Sequence, residues 1–181
     1  MKTTALVQDR RLAILGIVGF SAALAAASQV AIPLPFTPVP ITLQPLLVVL
    51  AGMMLGPVFG AASMMVYLVA GAAGLPVFAP LGAPGVLRFL GPTGGYLLAY
   101  PVAAYVAGLL ASRTRDFSGR ALAAGAGILM LYVGGLAQLA VLTGSLTRAA
   151  LLGVAPFVAL DAVKALAAAA VTRSPASSRA D

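Results

Sequence analysis

Residues 12–31 have the sequence LAILGIVGFSAALAAASQVA and are followed at once by IPLPFTPVPI, residues 32–41. The first segment carries no charge and is as long as the roughly 20 residues that a helix needs to cross the hydrocarbon core of a bilayer. The second contains four prolines, and each proline removes a backbone N–H and fixes φ, so a helix cannot continue through it. The pattern predicts a membrane-spanning helix that ends in an extended connector.

The composition of the whole chain extends this prediction. Of its 181 residues, 61% are hydrophobic and only 8% are charged, and the mean hydropathy is +1.06. Soluble domains carry about 25% charged residues, so lipid must be the solvent for most of this surface. The length allows about five to seven spans and leaves no room for a separate soluble domain.

The same composition argues against several classes of function. The absence of Cys and His removes thiol catalysis, the commonest general base and the commonest metal ligand. We therefore expect no enzyme, no metal site and no cofactor. The formal charge of +7 would suggest nucleic acid in a soluble protein. Here the basic residues lie mainly at the ends and in one loop, as the orienting flanks of membrane helices do, so we expect no nucleic acid.

Helix breakers divide the long apolar region. No charge occurs between Arg11 and Arg88, so Gly and Pro must separate the helices there, as at Gly56-Pro57. We predict an all-α integral membrane protein, a single transmembrane domain over residues 1–181 that forms a compact bundle of six transmembrane helices. The predicted spans cover residues 12–31, 42–55, 58–74, 95–112, 121–143 and 149–171, with a disordered tail at 172–181. The second and third are short and closely joined, which predicts an antiparallel hairpin.

Positive charge orients this bundle. Cytoplasmic loops of membrane proteins carry an excess of Lys and Arg. Six spans place the three most basic segments on one side, whereas five or seven would split them. Both termini are therefore predicted to be cytoplasmic, and the proline connector and the Gly/Pro-rich loop at 75–94 are predicted to face outward. The basic residues of the cytoplasmic side are Lys2, Arg10, Arg11, Arg113, Arg115, Arg120, Arg173 and Arg179.

Two opposite charges lie inside the sixth predicted span. Asp161 and Lys164 are three residues apart, so they share one face of a helix. A charge at the centre of a membrane helix costs about 2.5–3.5 kcal/mol on insertion scales. The pair is either an ion pair that only holds helices together, a polar floor for a ligand, or a proton relay. As a ligand floor, Asp161 would accept N–H groups, and Lys164 would donate to a carbonyl or meet a carboxylate.

A second candidate site is the outer loop, with Arg88 and the sequence GPTGGY at residues 91–96. Glycine lets a backbone approach a ligand closely, and a helix that starts near Thr93 and Gly94 favours anionic groups at its N-terminus. Arg88 would attract an anionic substrate, and Tyr96 closes the motif. The alternative is a simple turn that starts the fourth helix, with a surface arginine that orients it.

The proline connector and the tyrosines leave further alternatives open. The stiff, apolar connector is either a lid over an external pocket or a rigid strap between helices. Gln44, just inside the second span, offers both a donor and an acceptor. Four tyrosines belong either to a pocket or to the aromatic belt at the membrane interface, namely Tyr67, Tyr96, Tyr100 and Tyr105. For Tyr67 and Tyr105 we expect the belt.

Small residues recur every four positions in the first span, at Gly19, Ala23, Ala27 and Ala31. Such a face lets membrane helices approach closely, either within this bundle or against another membrane subunit. The chain has no Walker A motif, so any coupling to ATP must come from partners.

Five motifs together closely resemble the BioY family of biotin transporters, over about residues 11–171. They are PFTPVPITLQ (35–44), AGMMLGPVFGAAS (51–63), GLPVFA (74–79), GPTGGYL (91–97) and DAVKA (161–165). The chain departs from the expected pattern at residues 80–85, PLGAPG, where a Gly-rich stretch would follow GLPVFA.

The resemblance implies a substrate-binding S component of an energy-coupling-factor (ECF) transporter in a prokaryotic cell membrane. Such a protein binds biotin with high affinity on the outer side and delivers it to the cytoplasm. Its implied partners are a transmembrane coupling subunit and two cytoplasmic ATPase subunits, and only these ATPases use ATP. Some family members are thought to transport without such a dedicated module.

The resemblance also implies roles for single residues. Asp161 and Lys164 match polar positions of the last helix and would hold the ureido ring or the carboxylate of biotin. Thr93, Gly94 and Tyr96 match the outer-loop motif. In the first span, the face at Ala23 and Ala27 would contact the coupling subunit.

Three other hypotheses remain beside the biotin transporter. One is a subunit of similar build for another small molecule, which ligand competition would distinguish. A membrane enzyme would need a nucleophile and a base, for which Asp161 with Lys164 is the only buried candidate pair. A purely structural assembly protein would keep all activity when Asp161→Asn is combined with Lys164→Met.

Overall fold

The computed structural model describes residues 10–172, and helices carry most of them. The prediction of a helical protein is confirmed. Of the predicted tail at residues 172–181, only Thr172 is described, as the last residue of a helix. In chain order the helices are α1 (Arg10–Ser28), α2 (Gln44–Leu55), α3 (Pro57–Ala72), a short 3₁₀ helix (Gly85–Leu90), α4 (Gly94–Ala111), α5 (Phe117–Thr143), α6 (Leu146–Gly153) and α7 (Val158–Thr172).

Several of these helices meet the length and hydropathy of a membrane span. Within residues 10–172, α1, α4 and α5 are each long and apolar enough to cross a bilayer, and α6 with α7 forms a fourth, bent candidate. The apolar helices α2 and α3 are shorter. Large apolar side chains face outward along α5, where Leu122 is 74% and Val141 81% exposed. Such a surface is expected where lipid replaces water.

The segment predicted as a sixth span is bent. Its two helices, α6 and α7, meet at an angle of 55°. Pro156 lies in the break between them, and because proline has no N–H it cannot donate to the carbonyl of Leu152 four residues earlier. The break therefore has a local chemical cause.

The proline connector forms a two-stranded antiparallel hairpin, which the all-α prediction did not include. Strand β1 (Ile32–Leu34) pairs with strand β2 (Thr37–Ile41), with Ile32 opposite Ile41 and Leu34 opposite Thr37. The paired positions are all residues other than proline, so each retains its backbone donor.

Three glycines bring the backbones of α2, α3 and α4 together. A Cβ at Gly52 would overlap the carbonyl oxygen of Ala104, one at Gly60 would overlap the backbone of Gly52, and one at Gly108 would meet the carbonyl oxygen of Gly52. Gly56 turns the chain between α2 and α3 with φ of +85°, a conformation that favours glycine. We call Gly52, Gly60 and Gly108 the glycine crossing.

Polar groups of α1, and of Gln29 directly after it, fasten this helix to the rest of the bundle. The Ser21 hydroxyl donates to the Ser63 carbonyl at 2.6 Å, and the Ser28 hydroxyl donates to the Val77 carbonyl at 2.5 Å. The amide of Gln29 donates to the Phe78 carbonyl at 3.2 Å. Hydrogen bonds of this kind hold membrane helices together where lipid offers no alternative partner. The last two also fix the loop that carries Phe78.

Candidate functional site

A cavity opens between the proline hairpin, the N-terminus of α2, the loop after α3 and helices α4 to α7. About 740 Å³ of space not filled by protein atoms lies within it, including the solvent at its open mouth. Its wall is mostly apolar, with a few polar side chains. The lining residues are Val39, Pro40, Thr42, Gln44, Pro45, Phe78, Ala79, Arg88, Thr93, Tyr96, Leu97, Tyr100, Leu131, Tyr132, Gly153, Phe157, Asp161 and Lys164.

Asp161 and Lys164 meet in the wall of this cavity. Asp161 is 5% and Lys164 9% exposed, and Lys164 Nζ lies 2.7 Å from Asp161 Oδ1. The hydroxyl of Tyr132 donates to the other oxygen, Oδ2, at 2.7 Å. A buried charge is tolerated only when it is paired and hydrogen-bonded, and both oxygens of this carboxylate are. Lys164 keeps N–H groups beyond the one that its bond to Asp161 uses.

The break between α6 and α7 places Asp161 in the first turn of α7. A carboxylate near a helix N-terminus is stabilised by the helix dipole. The Asp161 backbone N–H donates to the Phe157 carbonyl at 2.8 Å, and the Phe157 side chain lines the cavity itself. The bend thus brings a charged pair and an aromatic ring to one wall.

Two side-chain hydroxyls satisfy the carbonyls that the break leaves without helical donors. Leu152 loses its donor to Pro156, and its carbonyl accepts the Thr37 hydroxyl at 2.6 Å. The Phe157 N–H donates to the Val154 carbonyl. The Gly153 carbonyl therefore accepts a hydrogen bond from the Tyr96 hydroxyl instead, at 2.5 Å. An unpaired buried carbonyl would be costly. Strand β2 and helix α4 are therefore both bonded to the break.

Tyr96 and Gly94 have packing roles within the outer-loop motif. The Tyr96 ring lies where a Cβ at Gly135 would be, and its only O–H group is used by Gly153. Toward a ligand it can therefore only accept a hydrogen bond. Gly94 is buried, and a Cβ there would overlap the backbone of Phe89. Gly94 is not among the cavity-lining residues, so it supports the wall without forming it.

Arg88 is a buried cation at the cavity, 6% exposed. Its guanidinium donates to the carbonyls of Leu81 and Ala79, whereas its buried Nε has no partner among residues 10–172. Burial lowers the pKa of the guanidinium, yet the ordinary value is so high that Arg88 stays charged. A buried cation with an unused donor suits an anionic ligand group. The idea of an orienting surface arginine does not fit this burial.

Gln44 contributes to a small polar network at the N-terminus of α2. Its amide donates to the Tyr67 hydroxyl at 2.9 Å, and the Thr42 hydroxyl donates to its side-chain oxygen at 3.3 Å. Tyr67 is only 1% exposed, so the expected place in an interfacial belt is wrong for this residue. Its ring stacks on Tyr100 with centroids 6.2 Å apart and supports that part of the wall.

Two further hydroxyls remain free for a ligand. Thr93 makes no side-chain cap to α4, and neither Thr93 nor Tyr100 has a hydrogen-bond partner for its hydroxyl within the part of the chain that is described. Both line the cavity. The sequence singled out Thr93 but offered Tyr100 only as an alternative member of the aromatic belt.

Six of the seven residues singled out by sequence as ligand-binding line one cavity, and Gly94 is the exception. The sequence reasoning missed Tyr132. A signal was available, because Tyr132 lies in the middle of the 27-residue helix α5 and a phenol at such a position usually finds a hydrogen-bond partner. It also missed the aromatic wall of Phe78 and Phe157, which local sequence cannot distinguish from ordinary core.

The small-residue face of α1 lies away from the cavity. Gly19 and Ala23 are exposed, Ala27 is half-buried, and a Cβ at Gly19 would meet no neighbour. No group of three His, Cys, Asp or Glu residues that could hold a metal ion occurs in residues 10–172.

Comparison with known proteins bears on the resemblance noted from sequence. The model of the BioY family matches residues 1–180. The probable biotin transporter BioY of Pyrococcus horikoshii is 40% identical over 131 residues, which cover 72% of this chain and 76% of that one. The biotin transporter BioY of Thermotoga maritima is 36% identical over 152 residues, which cover 84% of this chain and 88% of that one.

A solved structure has a similar fold. It is the crystal structure of the S-component for biotin from an ECF-type ABC transporter, with a TM-score of 0.80 and 25% sequence identity. The similarity covers 89% of this chain and 88% of that one. The relatives are named transporters, so the chain is a membrane transport protein and not an enzyme. The motifs, the helical fold and these similarities lead to the same conclusion: the chain belongs to the BioY family.

Proposed function

We propose that this protein is the biotin-binding S component of an ECF transporter, which captures biotin with high affinity at the outer face of a prokaryotic cell membrane and delivers it to the cytoplasm. One observation carries the proposal. A mostly apolar cavity holds the Asp161–Lys164 pair and a second cation, Arg88, with an unused buried donor. Biotin combines a neutral hydrogen-bonding ring system, an apolar chain and one carboxylate, which suits such a wall.

The charges of the cavity suggest how biotin lies in it. Asp161 is the only carboxylate among the described residues that line the cavity, and it would repel the carboxylate of biotin. We therefore place the ureido ring at Asp161 and Lys164, where Asp161 accepts an N–H and Lys164 donates to the carbonyl. The biotin carboxylate then lies toward Arg88 and the free Thr93 hydroxyl. Tyr96 and Gln44 line the remaining polar wall.

The topology that we propose has six spans with both termini in the cytoplasm. The three long helices and the bent α6–α7 pair supply four spans, and the short apolar helices α2 and α3 supply two more. At 1.5 Å per residue, α2 with 12 residues and α3 with 16 are shorter than the hydrocarbon core of about 30 Å. Both begin or end near loops that pack on the bundle. The basic loop around Arg113 and Arg115 then lies on the cytoplasmic side, and the cavity opens outward.

Energy would come from partner subunits, a transmembrane coupling subunit and two cytoplasmic ATPases. The sequence carries no Walker A motif. The exposed face of Gly19 and Ala23, with Ala27 beside it, is the surface that we propose for docking of the coupling subunit, because small residues let a partner helix approach closely. The bilayer is the third partner.

The first test is calorimetric titration of biotin into the detergent-purified protein, freed of endogenous ligand. Tight binding of one biotin per chain that Asp161→Asn abolishes is the expected result. Tyr105→Phe is the matched control, because Tyr105 is 43% exposed on the outside of α4 and should bind as the wild type does. No binding by the folded wild-type protein would reject biotin, and competition with other vitamins would then test a different small molecule.

A further inference from the structure

We propose that Tyr132 is a positioning residue that sets ligand selectivity: its hydroxyl holds the Asp161 carboxylate so that Asp161 and Lys164 together read the N–H/C=O edge of a cyclic urea. This inference rests on the proposed function. It concerns a residue that the sequence motifs did not indicate, and it makes a separate prediction about which ligands are preferred.

The geometry gives the two oxygens of Asp161 different partners. Lys164 Nζ donates to Oδ1 and the Tyr132 hydroxyl donates to Oδ2, each at 2.7 Å. Lys164 follows on the same helix, α7, whereas Tyr132 comes from α5. The carboxylate is therefore held from two sides by two helices, which fixes the rotation of its plane.

This arrangement leaves one acceptor and one donor side by side. An ionised carboxylate offers about four lone-pair sites, so each oxygen of Asp161 retains capacity after its bond in the cavity wall. Lys164 retains N–H groups as well. In a five-membered cyclic urea the N–H and the C=O of one edge lie side by side, so an acceptor next to a donor matches that edge. A guanidine in the same ring presents an N–H in place of the C=O. This N–H would face the N–H groups of Lys164, a donor against a donor.

Among residues 10–172, Lys164 would be the only polar side chain bonded to this carboxylate without the Tyr132 hydroxyl. The plane of Asp161 could then turn, and Oδ2 would become free to accept an additional N–H. The urea edge would lose its match, while a ring with N–H groups on both sides would gain an acceptor. The O–H of Tyr132 is already used by Asp161, so its effect on the urea edge is exerted through Asp161.

The test measures dissociation constants of biotin, desthiobiotin and 2-iminobiotin for the wild type and for Tyr132→Phe. Tyr132→Phe keeps the ring and removes one oxygen. We expect about tenfold weaker binding of biotin and desthiobiotin, which share the urea edge, because a turned Asp161 carboxylate would lose one charge-assisted hydrogen bond to that edge. The preference for biotin over 2-iminobiotin should narrow by a similar factor, because 2-iminobiotin carries a guanidine.

A purely structural role would give a different pattern. If the three ligands weaken by the same factor, or if none changes, the proposal is overturned. Placing 4-aminophenylalanine at position 132 keeps the ring and restores a donor, and it should return the wild-type preference. Thermal unfolding of each variant without ligand checks the fold. If the wild type fails to bind biotin, the proposed function is refuted. A changed preference between ligands in the variant does not refute it.

Discussion

The glycine crossing and the α6–α7 break solve opposite problems with the backbone. At the crossing the helices keep their hydrogen bonds, and side chains are absent so that Gly52 can lie against Ala104 and Gly108. At the break the helical bonds are lost, and the hydroxyls of Thr37 and Tyr96 replace them. Close packing at the crossing thus depends on missing side chains, whereas the open backbone at the break depends on hydroxyl groups, and the break lies beside the cavity.

The largest effect should come from filling the glycine crossing. Gly52→Leu would place a side chain where the Ala104 carbonyl lies. Overpacking of cores typically costs about 1–3 kcal/mol, and here backbone must move, so we expect loss of folded protein in size-exclusion chromatography. Gly125→Leu is the matched control, because a Cβ at Gly125 meets nothing within 4 Å. Equal yield and thermal stability of the two variants would contradict the close contact.

Variants of the Asp161–Lys164 pair should separate its effect on stability from its effect on biotin binding. Asp161→Asn leaves Lys164 buried without its counter-ion, which typically costs about 3–5 kcal/mol, and we also expect a loss of biotin affinity of at least about 100-fold. Adding Lys164→Met should recover thermal stability without recovering affinity. Calorimetry and thermal unfolding of both variants measure the two effects. Biotin binding by the double variant at wild-type strength would show that the pair is only structural.

Arg88 should have a smaller effect that depends on the ligand. Arg88→Gln should weaken biotin binding by roughly 10- to 100-fold, as expected for a charge-assisted contact, but should scarcely change the weaker binding of biotin methyl ester, which lacks the charge. Because Arg88 also holds the carbonyls of Ala79 and Leu81, Arg88→Lys is included to keep the charge. Equal losses for biotin and its ester would place the carboxylate elsewhere.

Thr37 tests the bond between the hairpin and the break. Thr37→Val removes the hydroxyl that satisfies Leu152, and we expect a loss of about 1 kcal/mol and biotin release that is several-fold faster in stopped-flow measurements. Thr37→Ser keeps the hydroxyl and should release biotin at nearly the wild-type rate. If valine and serine behave alike, the hydrogen bond does not hold the hairpin over the cavity.

The smallest effect concerns the N-terminus of α5, far from both regions. The Thr114 hydroxyl, and then the Gly119 N–H at 2.8 Å, lower the pKa of Asp116. Because the folded pKa is below the ordinary value, the stabilisation is present above that ordinary value and is lost as pH falls through the lowered one. Hydrogen-exchange protection of Gly119 should fall with it. Asp116→Asn, which still caps a helix, should show no such pH dependence.

The sequence predicts most of what depends on neighbouring residues. The apolar runs, the prolines and Gly56 locate helices α1 to α5 to within a few residues, and the spacing of Asp161 and Lys164 places both on one face. The bend at Pro156 had a local signal that the span prediction did not use. To predict the hairpin, one would have had to know that the prolines lie outside the paired positions.

Contacts between distant segments could not be predicted in the same way. Gly52 and Gly108 are two glycines among 20, and nothing local shows that they touch. Tyr132 meets Asp161 across 29 positions, and Thr37 meets Leu152 across 115. Such pairs follow from how the helices pack, so a single sequence identifies candidate side chains but not their partners.

The length of sequence over which the cavity-lining residues are spread has a consequence for how long the protein persists in a cell. Its lining extends from Val39 to Lys164, so the ribosome must complete nearly the whole chain before the pocket exists. A vitamin that binds only the finished pocket stabilises it by RT ln(1 + [L]/Kd), about 2.7 kcal/mol at a hundredfold excess over Kd. Empty carriers should then be degraded faster than loaded ones. Supply of the nutrient would in this way help to set how many copies persist.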